Sequence, residues 1–397
     1  MKEVRLENVT KSYDGVTLVI PGINLLCIRG EMLALLGPSG CGKSTTLKMI
    51  AGIESISDGA IYFDDTDVSD LDTASRNVAM VFEDYALYPH LSVFDNIAFP
   101  LSIRGMPGPE ITERVERVLK LLGLRDISTE KVQQLSGGAQ QRVSIGRALV
   151  REPDLIMFDE PLSHLDSDQK VQLRTEIKRL QQTSKLTSVL VTHDQNEAIS
   201  MADRIAVMDK GILQQVDTPS AIYNQPANIF VASFIGEPPM NLLDAHYSSA
   251  LGQARIHFGH YGEVAADQSV IPTLHQHGEG KALVIGIRPE RVQINPDEAS
   301  LLLSARVYAH EPGGDSDVVT LDTIIGRIVA EAPAPLLLVE GDELQIGLDP
   351  EHFYYFCKEA GHNLLLETSC CPLYTSDAAD EEDDVCFRHC RNNEYRQ

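Results

Sequence analysis

The sequence has no long hydrophobic run. No segment of its 397 residues approaches the ~18 uninterrupted apolar residues that a membrane-spanning helix needs. The first residues, MKEVRLENVTKSYDG, also lack the apolar centre of a signal peptide. We therefore expect a cytosolic protein that does not itself cross a membrane. Its length is enough for two or three packed domains at ~100–200 residues each, and 43% of its residues are apolar.

Positive charge is scarce. Lys and Arg total 33 against 58 Asp and Glu, which gives a formal net charge of −25. Proteins that bind nucleic acid rely on basic side chains to neutralise phosphates. A nucleic-acid partner is therefore not expected.

Cysteine is scarce as well, because seven cysteines are too few and too scattered for a disulfide framework in a chain of this length. Only Cys27, Cys41 and Cys357 lie in the body of the chain. The other four, which could form a metal cluster, crowd into the last 28 residues. That segment, 368–397, shows neither helical nor strand periodicity. We expect it to be disordered, and a non-native origin is an open alternative.

The remaining sequence predicts two kinds of domain. Short apolar runs in 1–235 alternate with helical patterns, which is typical of an α/β fold with a parallel sheet. Within it, 84–150 shows 3.6-residue periodicity without strand signals and predicts a helical subdomain. From 236 to 367, short strand-like runs separated by turn signals predict a small all-β domain of barrel modules.

The segment GPSGCGKS matches the phosphate-loop pattern G-x-x-x-x-G-K-[ST] and lies between a predicted strand and a predicted helix. Its glycines allow backbone N–H groups to surround phosphates, and the helix N-terminus adds positive potential. Lys43 is expected to reach the β- and γ-phosphates, and Ser44 to bind Mg²⁺. An ordinary glycine-rich turn is the alternative. The predicted nucleotide-binding residues here are Gly37, Pro38, Ser39, Gly40, Cys41, Gly42, Lys43, Ser44 and Thr45.

Two further segments fit the same chemistry. Asp159 and Glu160 follow the apolar run LIMF, which suggests a Walker B strand whose Asp holds Mg²⁺ and whose Glu is the candidate catalytic base; helix-capping carboxylates are the alternative. The segment LSGGAQQ precedes a helical run. Its glycines and serine suit a terminal phosphate, although a serine N-cap with a tight turn would look similar. The binding residues predicted there are Ser136, Gly137, Gly138 and Gln140.

Together these segments resemble a known family. LSGGAQQRVSIGRAL, LIMFDEPLSHLD and VTHDQNEAISMADRIAVMDKG are similar to the signature, Walker B with D-loop, and switch segments of ATP-binding-cassette (ABC) ATPases. The resemblance covers about 1–367. QVDTPSAIYNQPANIFVASFIGEPPMNLL and IGIRPERV resemble more narrowly the ATPase subunits of maltose and glycerol-3-phosphate importers. The resemblance implies an ABC-type nucleotide-binding domain at 1–235 and an oligonucleotide-binding-like (TOBE) β domain at 236–367.

The resemblance also implies roles for single residues. Tyr13 is expected to stack on adenine, His193 to contact the γ-phosphate, and Asp166 to belong to the D-loop. Glu83 stands where the family normally has Gln, and we expect it to contact Mg²⁺ and the attacking water. His164 also departs from the family's usual small residue or Asn. Glu160, His193 and Glu83 are thus the predicted catalytic residues, and the predicted Mg²⁺ ligands are Ser44, Asp159 and Glu83.

The implied partners follow from the same family. Two chains are expected to bind two ATP molecules between one chain's Lys43 and the other chain's Ser136. A membrane permease would dock around 85–90 and link the ATPase to a solute-binding protein, so the dimer would sit on the cytoplasmic face of the membrane. The predicted activity is ATP hydrolysis that drives import of a sugar or glycerol-3-phosphate-type solute. Polyamine, iron or sulfate import, a soluble non-transport ABC ATPase, and a nucleotide-binding module without turnover are the alternatives.

Overall fold

The computed structural model describes residues 1–163, 165–250 and 253–366. The chain forms two compact units, Met1–Ser220 and a second unit that begins at Ala221. The predicted domain boundary at 235/236 stays a prediction. The predictions for 368–397, the cysteine cluster among them, and the departure at His164 fall outside the described residues.

Strands and helices alternate through most of the first unit. Its strands are β1 (Val4–Ser12), β2 (Leu18–Cys27), β3 (Met32–Leu36), β4 (Asp58–Phe63), β5 (Thr66–Asp67), β6 (Val78–Val81), β7 (Leu155–Asp159), β8 (Ser188–Thr192), β9 (Arg204–Asp209) and β10 (Ile212–Asp217). Its helices are α1 (Lys43–Ala51), α2 (Val93–Ile103), α3 (Gly108–Leu121), α4 (Gly137–Leu149), α5 (Ser167–Ser184) and α6 (Gln195–Met201). Short 3₁₀ turns occupy Arg125–Ile127 and Val132–Gln134.

The central sheet has the strand order β10-β9-β3-β8-β7-β6. Its strands pair in parallel, except that β10 runs antiparallel to β9. Every residue of β3 and β8 is buried, as expected for strands covered on both faces. Because parallel strands end at the same edge of a sheet, the residues that follow β3, β6, β7 and β8 are brought together.

A second sheet, which the sequence patterns did not predict, has the antiparallel order β2-β1-β4-β5. Val4 of β1 pairs with Phe63 of β4. The two paired strands are therefore separated in the sequence by β2, β3 and α1. Buried residues of this sheet, of α1 and of the central sheet belong to one hydrophobic cluster. Helix α1, which carries the phosphate loop at its start, is thus fixed by both sheets.

Arg76 closes the other end of α1. The side chain is 3% exposed, and its Nη1 donates to the carbonyl oxygens of Met49 at 2.7 Å and Ile50 at 3.0 Å. The chain leaves the helix through Gly52, which has a φ of 73°, and a Cβ there would lie 2.6 Å from Arg76 Nε. Glycine at position 52 is therefore required by both the backbone and the arginine.

The described stretch 84–150 is helical, with α2, α3 and α4 packed around their own hydrophobic cluster. Ser92 caps α2 by accepting a hydrogen bond from the N–H of Asp95 at 3.0 Å. Leu101 of α2, Leu119 of α3 and Val143 of α4 are buried in the shared core.

The second unit is built mainly from antiparallel sheets. Its strands are β11 (Asn241–Ala250), β12 (Gln253–His257), β13 (Glu263–Ala265), β14 (Ala282–Ile287), β15 (Gln293–Ile294), β16 (Leu301–Pro312), β17 (Ser316–Thr323), β18 (Gly326–Pro333), β19 (Glu343–Leu348) and β20 (Tyr354–Cys357). The strand orders are β13-β12-β11-β14-β20 and β15-β19-β16-β17-β18. Short helices are α7 (Pro219–Asn224), which begins at the division between the units, α8 (Ile229–Phe234) and α9 (Ile271–His277).

One hydrophobic cluster includes residues of both of these sheets, with Tyr247 and Ile285 from one and Leu321 and Ile346 from the other. An α/β region with a helical subdomain is thus followed by a small β domain, which confirms the predicted fold class. None of the helices in the part of the chain that the structure describes is long and apolar enough to span a lipid bilayer.

Candidate nucleotide site

The phosphate loop lies between β3 and α1, as predicted. Gly40 and Gly42 have left-handed φ values of 79° and 104°. A Cβ at Gly42 would lie 2.5 Å from Ile20 Cδ1, and one at Gly37 would lie 2.2 Å from the carbonyl oxygen of Met208. The glycine positions are therefore set by backbone conformation and by the close approach of neighbouring elements.

Lys43, the first residue of α1, is 5% exposed. Its Nζ donates to the carbonyl oxygens of Gly37 at 2.8 Å and Pro38 at 3.0 Å, so the ammonium is held inside the loop. These partners are neutral. A buried cation held by neutral carbonyls suits an anionic ligand such as a polyphosphate.

Ser44 and Asp159 meet across the site, because the hydroxyl of Ser44 donates to Asp159 Oδ1 at 3.3 Å. Burial raises the pKa of Asp159, and the neighbouring carboxylates of Glu160 and Glu83 raise it further, while Lys48 acts in the opposite direction. A hydroxyl and a carboxylate in a strongly acidic surrounding fit Mg²⁺, which takes one or two protein oxygens and completes its shell with water and phosphate oxygens. The described ranges contain no group of three or more His, Cys, Asp or Glu side chains that could hold a metal ion by themselves.

Glu160 and His193 form a hydrogen-bonded pair, with 3.0 Å between Glu160 Oε2 and His193 Nδ1. Asp159 of β7 pairs with Val191 of β8, so the residues that follow the two strands lie side by side. Glu160 has a left-handed φ of 45°, which is unfavourable for residues other than Gly and Asn. Its N–H donates to the carbonyl oxygen of Val191 at 2.9 Å. Strained backbone of this kind concentrates at functional sites.

Glu83 belongs to the same edge, because it follows β6 and β6 pairs in parallel with β7. Its charge contributes to the raised pKa of Asp159. Ser44, Asp159, Glu160, His193 and Glu83 are therefore gathered at the edge of the central sheet where the phosphate loop lies.

The signature residues lie at the start of α4. The hydroxyl of Ser136 accepts from the N–H of Ala139 at 3.4 Å, and Gly138 has open space where a Cβ would be. Ser136 and Gly138 line a cavity of about 150 Å³ together with residues of α5. Gln140 is already engaged, because its Nε2 donates to the carbonyl oxygens of Val132 and Leu135 at 3.1 Å each.

Tyr13 presents its ring to solvent with 59% of the side chain exposed, and Lys11 Nζ lies 4.8 Å from the ring centroid. An exposed aromatic ring fits a stacking role. Beside it, Asp14 accepts hydrogen bonds from the N–H groups of Val16 and Thr17, which lower the pKa of that carboxyl. Tyr13 is thus presented on an ordered turn.

Lys48 also acts on this site but was not among the residues predicted from the sequence, although its position offered a signal. It lies four residues after Ser44 on α1, so it emerges on the same helix face. Its positive charge lowers the pKa of Asp159 and opposes the effect of the two glutamates.

Several known proteins and two protein families are similar to this chain. A family model described as ABC transporter matches residues 20–163, and one described as TOBE domain matches residues 285–356. The chain is 45% identical over 325 residues to "sn-glycerol-3-phosphate import ATP-binding protein UgpC" of Pectobacterium atrosepticum, which covers 80% of this chain and 89% of the relative. The chain belongs to the ABC transporter ATP-binding proteins.

Other ABC proteins show the same relationship. "Osmoprotective compounds uptake ATP-binding protein GgtA" of Synechocystis is 41% identical over 371 residues, which is 90% of this chain and 98% of the relative. Among solved structures, cbiO1 of Clostridium perfringens, described as part of the ABC transporter complex cbiONQ, superposes with a TM-score of 0.52 at 29% identity, over 55% of this chain and 89% of that one. The family resemblance and the ABC-type fold with a TOBE domain are confirmed, and the chain is an ATP-binding ABC transporter ATPase.

Proposed function

We propose that this ABC ATPase powers an importer of a sugar or glycerol-3-phosphate-type solute. Relatives with 41–45% identity are named for glycerol-3-phosphate import and for uptake of osmoprotective compounds. Both names combine ATP binding with the import or uptake of a solute. The proposal extends that activity to this chain, and polyamine, iron or sulfate import is the alternative for the solute.

The proposed nucleotide contacts divide between two chains. Lys43 and the backbone N–H groups of the loop 37–45, in which Pro38 has none, hold the phosphates, and Tyr13 stacks on adenine. Ser136, Gly137, Gly138 and Gln140 of a second chain cover the same nucleotide in an isologous homodimer. Gln140 contributes by shaping the turn, because its amide donates to two carbonyl oxygens of its own chain.

The proposed reaction is transfer of the γ-phosphoryl group from ATP to water. Glu160 orients the water and accepts its proton, the water oxygen bonds to the γ-phosphorus, and the bond to the β–γ bridging oxygen breaks. His193 holds the Glu160 carboxylate and contacts the γ-phosphate. Ser44 and Asp159, with Glu83, would hold Mg²⁺, which supplies positive charge to the phosphates.

The observation that carries this proposal is the 3.0 Å contact between Glu160 and His193, made from a strained backbone at the edge where Ser44 meets Asp159. The pair lies where the ends of β7 and β8 meet, beside Ser44 and Asp159, and not on an outer surface of the unit. A base held by a second residue beside a phosphate loop fits hydrolysis.

The proposed partners are a second copy of this chain, a pair of permease subunits that dock at 85–90, and, through the permease, a solute-binding protein. The dimer would be held peripherally at the cytoplasmic face of the cell membrane. No nucleic acid is involved, in keeping with the net charge of −25.

Glu160→Gln in the full chain tests the proposed reaction. The variant should bind ATP with wild-type affinity and lose at least ~100-fold in turnover, because a general base contributes on the order of 10²–10⁴-fold. Phosphate release measures turnover, and fluorescent-nucleotide titration measures binding. Glu113→Gln, which removes an exposed glutamate of α3, is the matched control and should behave as wild type. Turnover of Glu160→Gln at the parent rate would show that the base is wrongly assigned.

A further inference from the structure

The loop between β6 and α2 contains an unusual backbone. Tyr85 and Ala86 are consecutive non-glycine residues with left-handed φ values of 60° and 46°. The N–H of Tyr85 donates to the carbonyl oxygen of Phe82 at 3.0 Å, which closes a tight turn around Glu83. Two such residues in succession persist only when the surrounding structure holds them.

Helix α4 supplies that hold. Ser144 Oγ donates to the carbonyl oxygen of Tyr85 at 2.9 Å, and Arg147 Nη2 donates to the same oxygen at 3.0 Å. Arg147 Nη1 donates to the carbonyl oxygen of Ala86. The strained turn is therefore attached to the helix that begins with the signature residues.

The side chain of Tyr85 makes a second link to α4. Tyr85 is 8% exposed, and its hydroxyl has no hydrogen-bond partner among the described residues. A Cβ on Gly137 would lie 4.0 Å from this hydroxyl oxygen, so the tyrosine reaches the signature turn itself. Leaving a buried hydroxyl unpaired costs free energy, and a native structure that keeps one invites a functional explanation.

We propose that Tyr85 is a positioning residue that transmits the state of the signature turn at Ser136–Gly138 to the turn that carries Glu83. The inference rests on the proposed function, in which the signature turn covers the nucleotide of a second chain. A shift of that turn on nucleotide binding supplies an acceptor to the Tyr85 hydroxyl. Because the Tyr85 backbone closes the Glu83 turn, each nucleotide site then responds to the other.

The test compares Tyr85→Phe with Tyr355→Phe. Both substitutions remove a buried hydroxyl that has no partner among the described residues, but Tyr355 belongs to β20 in the second unit. Without nucleotide, neither variant should have a lower Tm than wild type, because no hydrogen bond of the resting state is lost. With Mg·ATP, Tyr85→Phe should lower kcat several-fold, leave KM within about two-fold, and reduce the Hill coefficient for ATP towards 1. Tyr355→Phe should change none of the three.

Hydrogen exchange of 82–90 provides a readout that does not depend on turnover. In the Glu160→Gln background, ATP should slow exchange in this segment, and adding Tyr85→Phe should remove most of that change while ATP remains bound. Unchanged kcat, Hill coefficient and exchange in Tyr85→Phe would overturn the proposal, as would a lower Tm of Tyr85→Phe alone. Absence of turnover in the wild type would instead contradict the proposed function.

Discussion

The two units of the molecule use their polar residues differently. In the first unit, the residues after β3, β6, β7 and β8 are held at one edge by parallel pairing, and several keep polar groups directed at that edge. In the second unit, the antiparallel strands are linked largely by short connections, and the buried side chains of Arg288 and Asn241 bond to backbone carbonyl oxygens of the same unit. Parallel pairing brings side chains from several strand ends together at one edge, and the antiparallel sheets of the second unit have no such common edge.

Arg288 illustrates the second behaviour. It is 1% exposed, its Nη2 donates to the carbonyl oxygen of Tyr223 at 2.7 Å, and its Nη1 donates to that of Ile235. Asn241 similarly donates to the carbonyl oxygens of Ile287 at 3.3 Å and Val329 at 2.8 Å. Lys43 also bonds to carbonyl oxygens, but those belong to the loop that matches the phosphate-loop pattern.

The largest expected effect is that of Lys43→Ala. Removing the ammonium should abolish ATP binding or reduce turnover below detection, because neutral N–H groups alone then face the charge of the phosphates. Isothermal titration with Mg·ATP and phosphate release measure the two effects. Lys120→Ala on α3, an exposed lysine near its C-terminus, should leave both unchanged. Normal ATP affinity in Lys43→Ala would remove the basis for assigning the chemistry to this edge.

A smaller effect is expected of Glu83→Gln. The carboxylate repels the γ-phosphate: two unit charges ~5 Å apart at an effective dielectric of ~20 interact by about 3 kcal/mol, and Mg²⁺ between them cancels much of this. A residual ~1.4 kcal/mol is tenfold in rate. We therefore expect kcat to rise several-fold in Glu83→Gln with the permease present, and ATP affinity to change less.

Glu130→Gln, which alters an exposed glutamate of the helical subdomain 84–150, is the control for this measurement. An equal or lower kcat in Glu83→Gln would mean that Glu83 is a tolerated metal ligand and that its charge does not limit turnover.

The smallest effect on nucleotide binding should come from removing the second unit. The fragment 1–220 should keep an ATP affinity within a few-fold of the full chain, because the predicted phosphate contacts of one chain lie before Ser220. Its self-association should be weaker, since we expect the β domain to help hold the dimer. Sedimentation velocity and nucleotide titration measure the two properties. ATP binding by a fragment of 221–366 would contradict the assignment of the nucleotide site to the first unit.

The strands β3, β7 and β8 of the central sheet could be predicted from the sequence, because their signal is local. Runs such as MLALL and SVLVT are continuous, buried and short, and they are followed directly by the predicted phosphate loop and by His193. Parallel pairing then brings Glu160 beside His193 without any further information.

The sheet β2-β1-β4-β5 could not be predicted in the same way. Its pairing of Val4 with Phe63 joins segments separated by the phosphate loop, so no local turn signal marks it. Helix α9 was missed because seven residues at Ile271–His277 give too few turns for a clear period. The link from Tyr85 to Gly137 depends on tertiary packing between segments about 50 positions apart, and periodicity does not report such contacts.

The hydrogen bonds of Arg76 also determine how α1 is held at its end. A helix leaves its last carbonyl oxygens without partners inside the helix, and those oxygens carry partial negative charge. The guanidinium of Arg76 donates to two of them, at Met49 and Ile50, while the carboxylates of Asp67 and Asp70 act on the guanidinium in turn. One residue 26 positions beyond Ile50 thus ties the end of the phosphate-loop helix to the segment that leads into β6.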